Sequence, residues 1–311
     1  MNQMQIPSDP VEIVEVGPRD GLQNLKTILS TQDKVCLIRQ LSESGLKQIQ
    51  IGGFVSPKAI AQFHDVSFVA KEVVSTINGI KFSALTPNLK GVENALQCGI
   101  KKICFVFSVS QAHNLNNVSK TPEESLIELE KVIHLLKQTP EIEINVDLST
   151  AFGCPYTLQV PLETVIHYVK KVWGVGIRQI TLCDTVGFAN PVQVAKLIST
   201  CCKRFPEVMF RCHFHNTRGL GLANCLAAYM NGIRSFDSSI GGLGGCPYAP
   251  GATGNVSTED LVFMFNEMGV QTGINLEKLF VSTSYLTQIL PDVALNSHLF
   301  RAKPPCAQKL V

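Results

Sequence analysis

His213-Phe214-His215 closes a short apolar run that begins at Val208. Side chains alternate along an extended strand, so two histidines one residue apart project from the same face. Imidazole is the commonest side-chain ligand for borderline metal ions, and a pair on one strand is already aimed at a common point. Alone, a His-x-His reads more simply as one buried, hydrogen-bonded histidine beside one on a loop. Other residues supply what a cation would need. Asp20, in Gly17-Pro18-Arg19-Asp20-Gly21-Leu22-Gln23-Asn24, offers a carboxylate, and Asn255 offers an amide oxygen. Together Asp20, His213, His215 and Asn255 form a mixed N/O set that leaves coordination positions for a substrate. Such a set suits Mg²⁺ or Mn²⁺, and its lack of thiolates argues against structural zinc.

Two further side chains belong with this chemistry. Arg19, beside Asp20, is a permanent cation suited to the negative charge of an enolate oxygen; its plainer role is a salt bridge at a rim. Cys246 lies in a glycine-rich segment, Gly241-Gly242-Leu243-Gly244-Gly245-Cys246-Pro247-Tyr248-Ala249-Pro250-Gly251-Ala252-Thr253-Gly254-Asn255, whereas other cysteines such as Cys36, Cys104, Cys183 and Cys212 sit in apolar runs. Glycines permit hinge-like closure, so the segment reads as a lid carrying a thiol that donates or accepts a proton. The alternative is a small residue packed beneath a loop. The segment is no phosphate-binding P-loop, because the Gly-Lys-Ser/Thr ending is missing.

These residues need strands to hold them. Apolar, β-branched runs recur at Val11–Val16, Leu46–Ile51, Ile80–Leu85, Lys102–Phe107, Ile142–Leu148, Gln179–Cys183, Val208–His213 and Arg234–Ile240. Helix starts fall between them, at Ser30 with Asp33, at Thr121-Pro122-Glu123-Glu124 and at Asn190-Pro191, and helix stops fall at Gly45, Gly79, Gly99 and Gly232. Eight alternating β and α units predict a (β/α)₈ TIM barrel; a six-stranded doubly wound sheet would leave two runs unused. A barrel gathers functional groups at the carboxyl ends of its strands. Arg19 and Asp20 follow the first run, Gln50 lies near the end of the second, and Asp184 closes the sixth. His213 and His215 close the seventh, and the glycine-rich segment follows the eighth. The expected organisation is one catalytic domain over 1–311, with the barrel over about 10–268 and a helical extension over 269–311. That extension, amphipathic from Leu276 to Leu290, would cover the barrel bottom or form a subunit contact.

Composition narrows the class. A net charge of +2 without basic blocks gives no grip on nucleic acid, and no apolar stretch is long enough for a bilayer. The polar start, Met1 to Pro10, lacks a signal pattern, and 11 cysteines without Cys-x-x-Cys pairs fit reduced thiols in the cytoplasm.

GPRDGLQN (17–24), FVSPK (54–58), HFHN (213–216), GGLGGCPYAPGATGN (241–255) and STEDLV (257–262) closely resemble the 3-hydroxy-3-methylglutaryl-CoA lyase family, over essentially residues 10 to 290. The resemblance implies a metal site at Asp20, His213, His215 and Asn255, an active-site arginine at Arg19, a lid cysteine at Cys246 and a substrate-binding aspartate at Asp184. It also implies an acyl-CoA substrate cleaved by a retro-Claisen reaction to acetyl-CoA and a keto acid such as acetoacetate, within leucine catabolism and ketone-body chemistry, by a homodimer. Asp20, His213 and Cys246 are the candidates for moving protons.

The chain departs from the family pattern at three places. Gln50 replaces a glutamate, with Ile51 and Gly52 in place of two hydroxyl residues; Phe214 and Asn216 interrupt the usual His-Cys-His-Asp; and Cys183 replaces a glycine before Asp184. Losing the acid beside Arg19, with glycines expected to widen the pocket, points to a related but altered acyl-CoA. The competing readings are a condensing enzyme of the isopropylmalate or citramalate synthase type and a catalytically inactive binding barrel.

Overall fold

The computed structural model describes residues 7–244 and 254–302. Eight parallel strands close into a barrel in sequence order. They are β1 (Glu12–Glu15), β2 (Gln48–Gly53), β3 (Lys81–Thr86), β4 (Lys102–Ser108), β5 (Glu143–Ser149), β6 (Gln179–Asp184), β7 (Met209–Phe214) and β8 (Ser235–Ser238). Closure is made by β1 against β8, with Glu12 opposite Ser235 and Glu15 opposite Ser238. All eight expected strands are present, their ends within two residues of the expected ones.

The outer layer holds α1 (Thr31–Glu43), α2 (Val66–Thr76), α3 (Leu89–Gln97), α4 (Gln111–Val118), α5 (Pro122–Leu136), α6 (Leu162–Gly174), α7 (Pro191–Arg204), α8 (Gly221–Met230) and α9 (Thr258–Glu267). Their starts obey the expected capping chemistry. Thr121 and Glu124 form a reciprocal box, each side chain accepting from the other's backbone amide at 3.2 and 2.7 Å. Asn190 accepts from Gln193 N at 3.0 Å, and Ser30 from Asp33 N at 3.1 Å. The stop at Gly45 takes a φ of +99°, and a side chain there would also collide with the Gly273 carbonyl.

Strand alternation sorts the residues into two environments. Ile49, Ile103, Phe105, Val146, Leu148, Ile180, Leu182 and Phe236 pack outward against the helices in one continuous apolar core. The inward faces carry Gln48, Lys102, Asn145, Asp147, Arg211 and Asp237, joined across the barrel. Arg211 Nη2 donates to Gln48 Oε1 at 3.4 Å, linking β7 to β2, and Lys102 Nζ donates to Gln179 Oε1 at 2.8 Å, linking β4 to β6. The barrel lumen is therefore polar, where bulky apolar layers are the usual filling.

After α9 the chain forms α10 (Leu276–Ile289) and α11 (His298–Arg301). Among the described residues, the extension does not stay at the barrel bottom. It begins there, with Val11 N donating to Gln271 O at 3.0 Å, climbs beside α1 and α9, and ends at the opposite rim, where Asn296 N donates to Gly241 O at 2.7 Å. Tyr285 donates to Asp33 of α1 at 3.0 Å, and Asp260 accepts from the amides of His298 and Leu299 at 2.9 and 2.8 Å.

Glu15 ties β1 to the stem of the glycine-rich segment. Its Oε1 accepts from Gly17 N at 2.6 Å and Ile240 N at 2.9 Å, and its Oε2 from Thr258 Oγ1 at 2.6 Å. Burial pushes its carboxyl up to about 8, against those three hydrogen bonds. A carboxyl raised on folding contributes stability in full below its ordinary value of 4.5, and that contribution is lost as pH rises through about 8. Glu15→Gln keeps the twofold amide acceptor and should flatten the decline in denaturant midpoint between pH 6 and 9. Glu15→Ala strands two buried amides and should cost about 3 kcal/mol. Equal pH slopes for Glu15→Gln and the unaltered protein would refute the assignment.

Candidate active site

Arg19 and Asp20 stand in a tight helical turn, Gly17–Gly21, in which Asp20 N and Gly21 N both donate to Val16 O, at 2.6 and 3.3 Å. That turn swings the two side chains back over the end of β1. Arg19 donates from Nη1 to Asp20 Oδ1 and from Nε to Gln50 Oε1, so Gln50, midway along β2, fixes the guanidinium plane. The other Asp20 oxygen, Oδ2, faces β7: it lies 3.4 Å from His215 Nε2 and 3.8 Å from His213 Nε2, and accepts from Asn255 Nδ2 at 2.8 Å.

Asn255 reaches this point through the backbone. An antiparallel bridge sets it opposite His215, and Asn216 N donates to Gly254 O at 2.7 Å. The two stems of the glycine-rich segment cross here. A side chain at Gly254 would fall on the Gly244 carbonyl, and Gly244 itself takes a φ of +113°. Residues 245–253, with Cys246, lie outside the described residues.

Asp20, His213 and His215 are the one group of three such ligands among the described residues whose donor atoms lie within 4.8 Å of one another. Among the described residues the Asn255 Oδ1 acceptor is buried without a hydrogen-bond partner, a position that a cation would satisfy. The set fits a divalent ion. Behind it, His213 Nδ1 lies 3.2 Å from Asp237 Oδ2 on β8, which leaves Nε2 to face Asp20. This is how carboxylates orient metal-binding histidines.

Electrostatics follow the geometry. Burial alone would raise the Asp20 carboxyl, yet Arg19, His215 and His213 hold it well below the usual carboxylate range. Burial would depress His213, but the Asp237 hydrogen bond and the Asp20 charge leave it raised. The site opens into a cavity of about 590 Å³, whose floor and walls include Arg19, Asp20, His213, His215, Asp147, Cys183 and Asp237, with Asn116 and Lys120 further out.

Asp184 is placed differently. It is 0% exposed and outside the cavity lining, and its two oxygens accept from the amides of Phe188 and Ala189 at 2.8 and 3.1 Å. It shapes the turn after β6, with burial lifting its carboxyl to about 6. The expected widening at Gly52 is also absent. A side chain there would meet Val66 and Phe63 of the helical layer, so Gly52 points away from the cavity. Two lining carboxylates, Asp147 and Asp237, went unread in the sequence. Their signal is period-two polarity, in Asn145-Val146-Asp147-Leu148-Ser149 and in Ser235-Phe236-Asp237.

A family model described as HMGL-like matches residues 10–285. The hydroxymethylglutaryl-CoA lyase of Bacillus subtilis is 44% identical over 300 residues, 94% of this chain and 98% of that protein. An (R)-citramalyl-CoA lyase of Chloroflexus aurantiacus is 39% identical, over 91% of this chain and 92% of its own length. The solved structure of an HMG-CoA lyase from Acinetobacter baumannii, in complex with coenzyme A and 3-methylmalate, superposes with a TM-score of 0.89 at 41% identity, over 96% of this chain and 97% of that one. Among the described residues, no helix is long and apolar enough to cross a membrane.

Asp237→Ala should free the His213 ring and weaken Mn²⁺ binding about 10–100-fold by titration calorimetry. Asp237→Asn, which keeps an acceptor, should fall between. Unchanged affinity in both would remove Asp237 from the site.

Proposed function

The chain belongs to the HMGL-like family and is a carbon–carbon lyase of that group, and we propose that it cleaves a branched 3-hydroxyacyl-CoA, 3-hydroxy-3-methylglutaryl-CoA or a close analogue, to acetyl-CoA and a keto acid such as acetoacetate. The observation that carries this reading is the Asp20, His213 and His215 cluster with a buried guanidinium at its edge. A divalent ion, Mg²⁺ or Mn²⁺, held by Asp20, His213, His215 and Asn255, supplies Lewis acidity that makes a hydroxyl proton easier to remove.

The chain's own groups divide the rest. The substrate's tertiary hydroxyl gives its proton to Asp20. As the carbonyl forms, the adjacent carbon–carbon bond breaks and its electron pair passes to the thioester as an enolate. Arg19, oriented by Gln50, faces that oxygen and lowers the cost of its charge. Cys246 protonates the enolate carbon, and the proton on Asp20 returns to the thiolate. His213 has one ring nitrogen committed to Asp237, so its cavity-facing Nε2 serves the cation or a proton but not both at once. We assign it to the cation.

The test is release of acetyl-CoA from branched 3-hydroxyacyl-CoA thioesters with Mg²⁺ or Mn²⁺ supplied. Cys246→Ala should lower kcat far more than ion affinity, whereas Cys104→Ala, at a buried position on β4, should only destabilise modestly. Gln50→Glu should raise turnover of 3-hydroxy-3-methylglutaryl-CoA by about 10-fold or more, by restoring the charge beside Arg19. No cleavage of any branched thioester by either form would overturn the reading, as would free CoA release from acetyl-CoA plus a 2-oxo acid in its place.

A further inference from the structure

Asp147 has no part in the steps above. It stands on β5, 5% exposed, on the wall of the reaction cavity. Its Oδ1 accepts from Asn145 Nδ2 at 2.6 Å, and Thr181 supplies a second hydrogen bond. A carboxylate has about four acceptor positions. Arg19 and Arg211 act on it favourably and Asp237 unfavourably, but among the described residues it forms no ion pair. Acceptor positions are therefore left over on a carboxylate that lines the cavity where an acyl group would lie. A methyl group set against them leaves a buried acceptor desolvated, and a substrate carboxylate adds like-charge repulsion. A hydroxyl does neither. It pairs with the carboxyl in either protonation state, donating to the ion or bridging to the acid. Cys183, 8% exposed on β6, fills part of the same wall and limits what fits there to a small group.

We propose that Asp147 is a specificity-determining residue that reads the acyl substituent on the β5 side. It selects a 3-hydroxyacyl-CoA carrying a further small, uncharged hydrogen-bond donor there, such as a hydroxymethyl group in place of a methyl. This rests on the lyase reading and names its substrate class.

The test compares 3-hydroxy-3-methylglutaryl-CoA with its hydroxymethyl counterpart, using the metal-loaded protein, Asp147→Asn, Asp147→Leu and Cys183→Gly. The unaltered protein should favour the hydroxymethyl thioester about 10-fold or more in kcat/KM, chiefly through KM. Asp147→Leu should reverse that ratio, Asp147→Asn should keep part of it, and Cys183→Gly should admit larger substituents while keeping the polarity preference. A ratio is insensitive to a general loss of activity, and the near-isosteric asparagine variant guards against misfolding of the leucine one. Cleavage of both thioesters with the same ratio in the unaltered protein and both Asp147 variants overturns this proposal and leaves the lyase reading intact. Cleavage of neither overturns the lyase reading. In that case the same ratio, read as equilibrium binding by calorimetry, still decides whether Asp147 discriminates.

Discussion

A closed barrel that turns its apolar residues outward must neutralise the charges it encloses. An unpaired ion in such an interior costs several kcal/mol, so each one needs an opposite charge or, like Asp147, hydrogen bonds. Two guanidinium groups carry most of that duty. Arg211 lies lower in the lumen, 3.6 Å from Asp237 and 3.5 Å from Glu12, while Arg19 sits at the mouth against Asp20. His213 stands between the two levels, with one nitrogen toward Asp237 and the other toward Asp20. The reactive mouth is thus the top of a column of paired charges, and its geometry is inherited from below. Loss of Arg211 would unpair Asp237 and Glu12, and loss of Arg19 would unpair Asp20.

The frame around that column uses buried carboxylates for a different purpose. Glu15 and Glu259 accept from the amides of Gly17, Ile240 and Gly241, and from the hydroxyls of Thr258, Ser257 and Thr283. Burial raises both carboxyls, although neither lines the cavity. They are acceptors for turn amides that have no strand or helix partner. A raised carboxyl near an active site is therefore no sign of catalysis here, and Asp184 follows the same rule.

Much of this was legible from residue order. The eight strands were written as apolar runs, and the caps at Thr121 and Asn190 followed from local side-chain chemistry. The meeting of Asp20, His213 and Asn255 followed from the rule that barrel strands deliver groups to one mouth. What escaped was set by tertiary contact. Whether Asp184 faces the cavity or its own turn depends on the amides of Phe188 and Ala189, which spacing does not reveal. Gly52 looked like added space because a missing side chain says nothing about which neighbour fills the gap; Val66 and Phe63 do so. Asp147 and Asp237 were hidden inside strands otherwise read as apolar, where alternation rather than content was the signal. The path of the extension past α1 to the rim depended on contacts between segments more than 200 residues apart, such as Tyr285 with Asp33.

The crossing of Gly244 and Gly254 also bears on how this scaffold can diversify. Because the stems touch, the stretch between them begins and ends at a single anchored point, and its length hardly affects the barrel beneath. Closing a longer or shorter stretch across fixed, adjacent ends changes the entropy only logarithmically, by about 0.6 kcal/mol per doubling. The segment is in effect a cassette. Sequences grafted between these two glycines would start and finish beside Asp20 and Asn255, provided both glycines and Asn255 are kept.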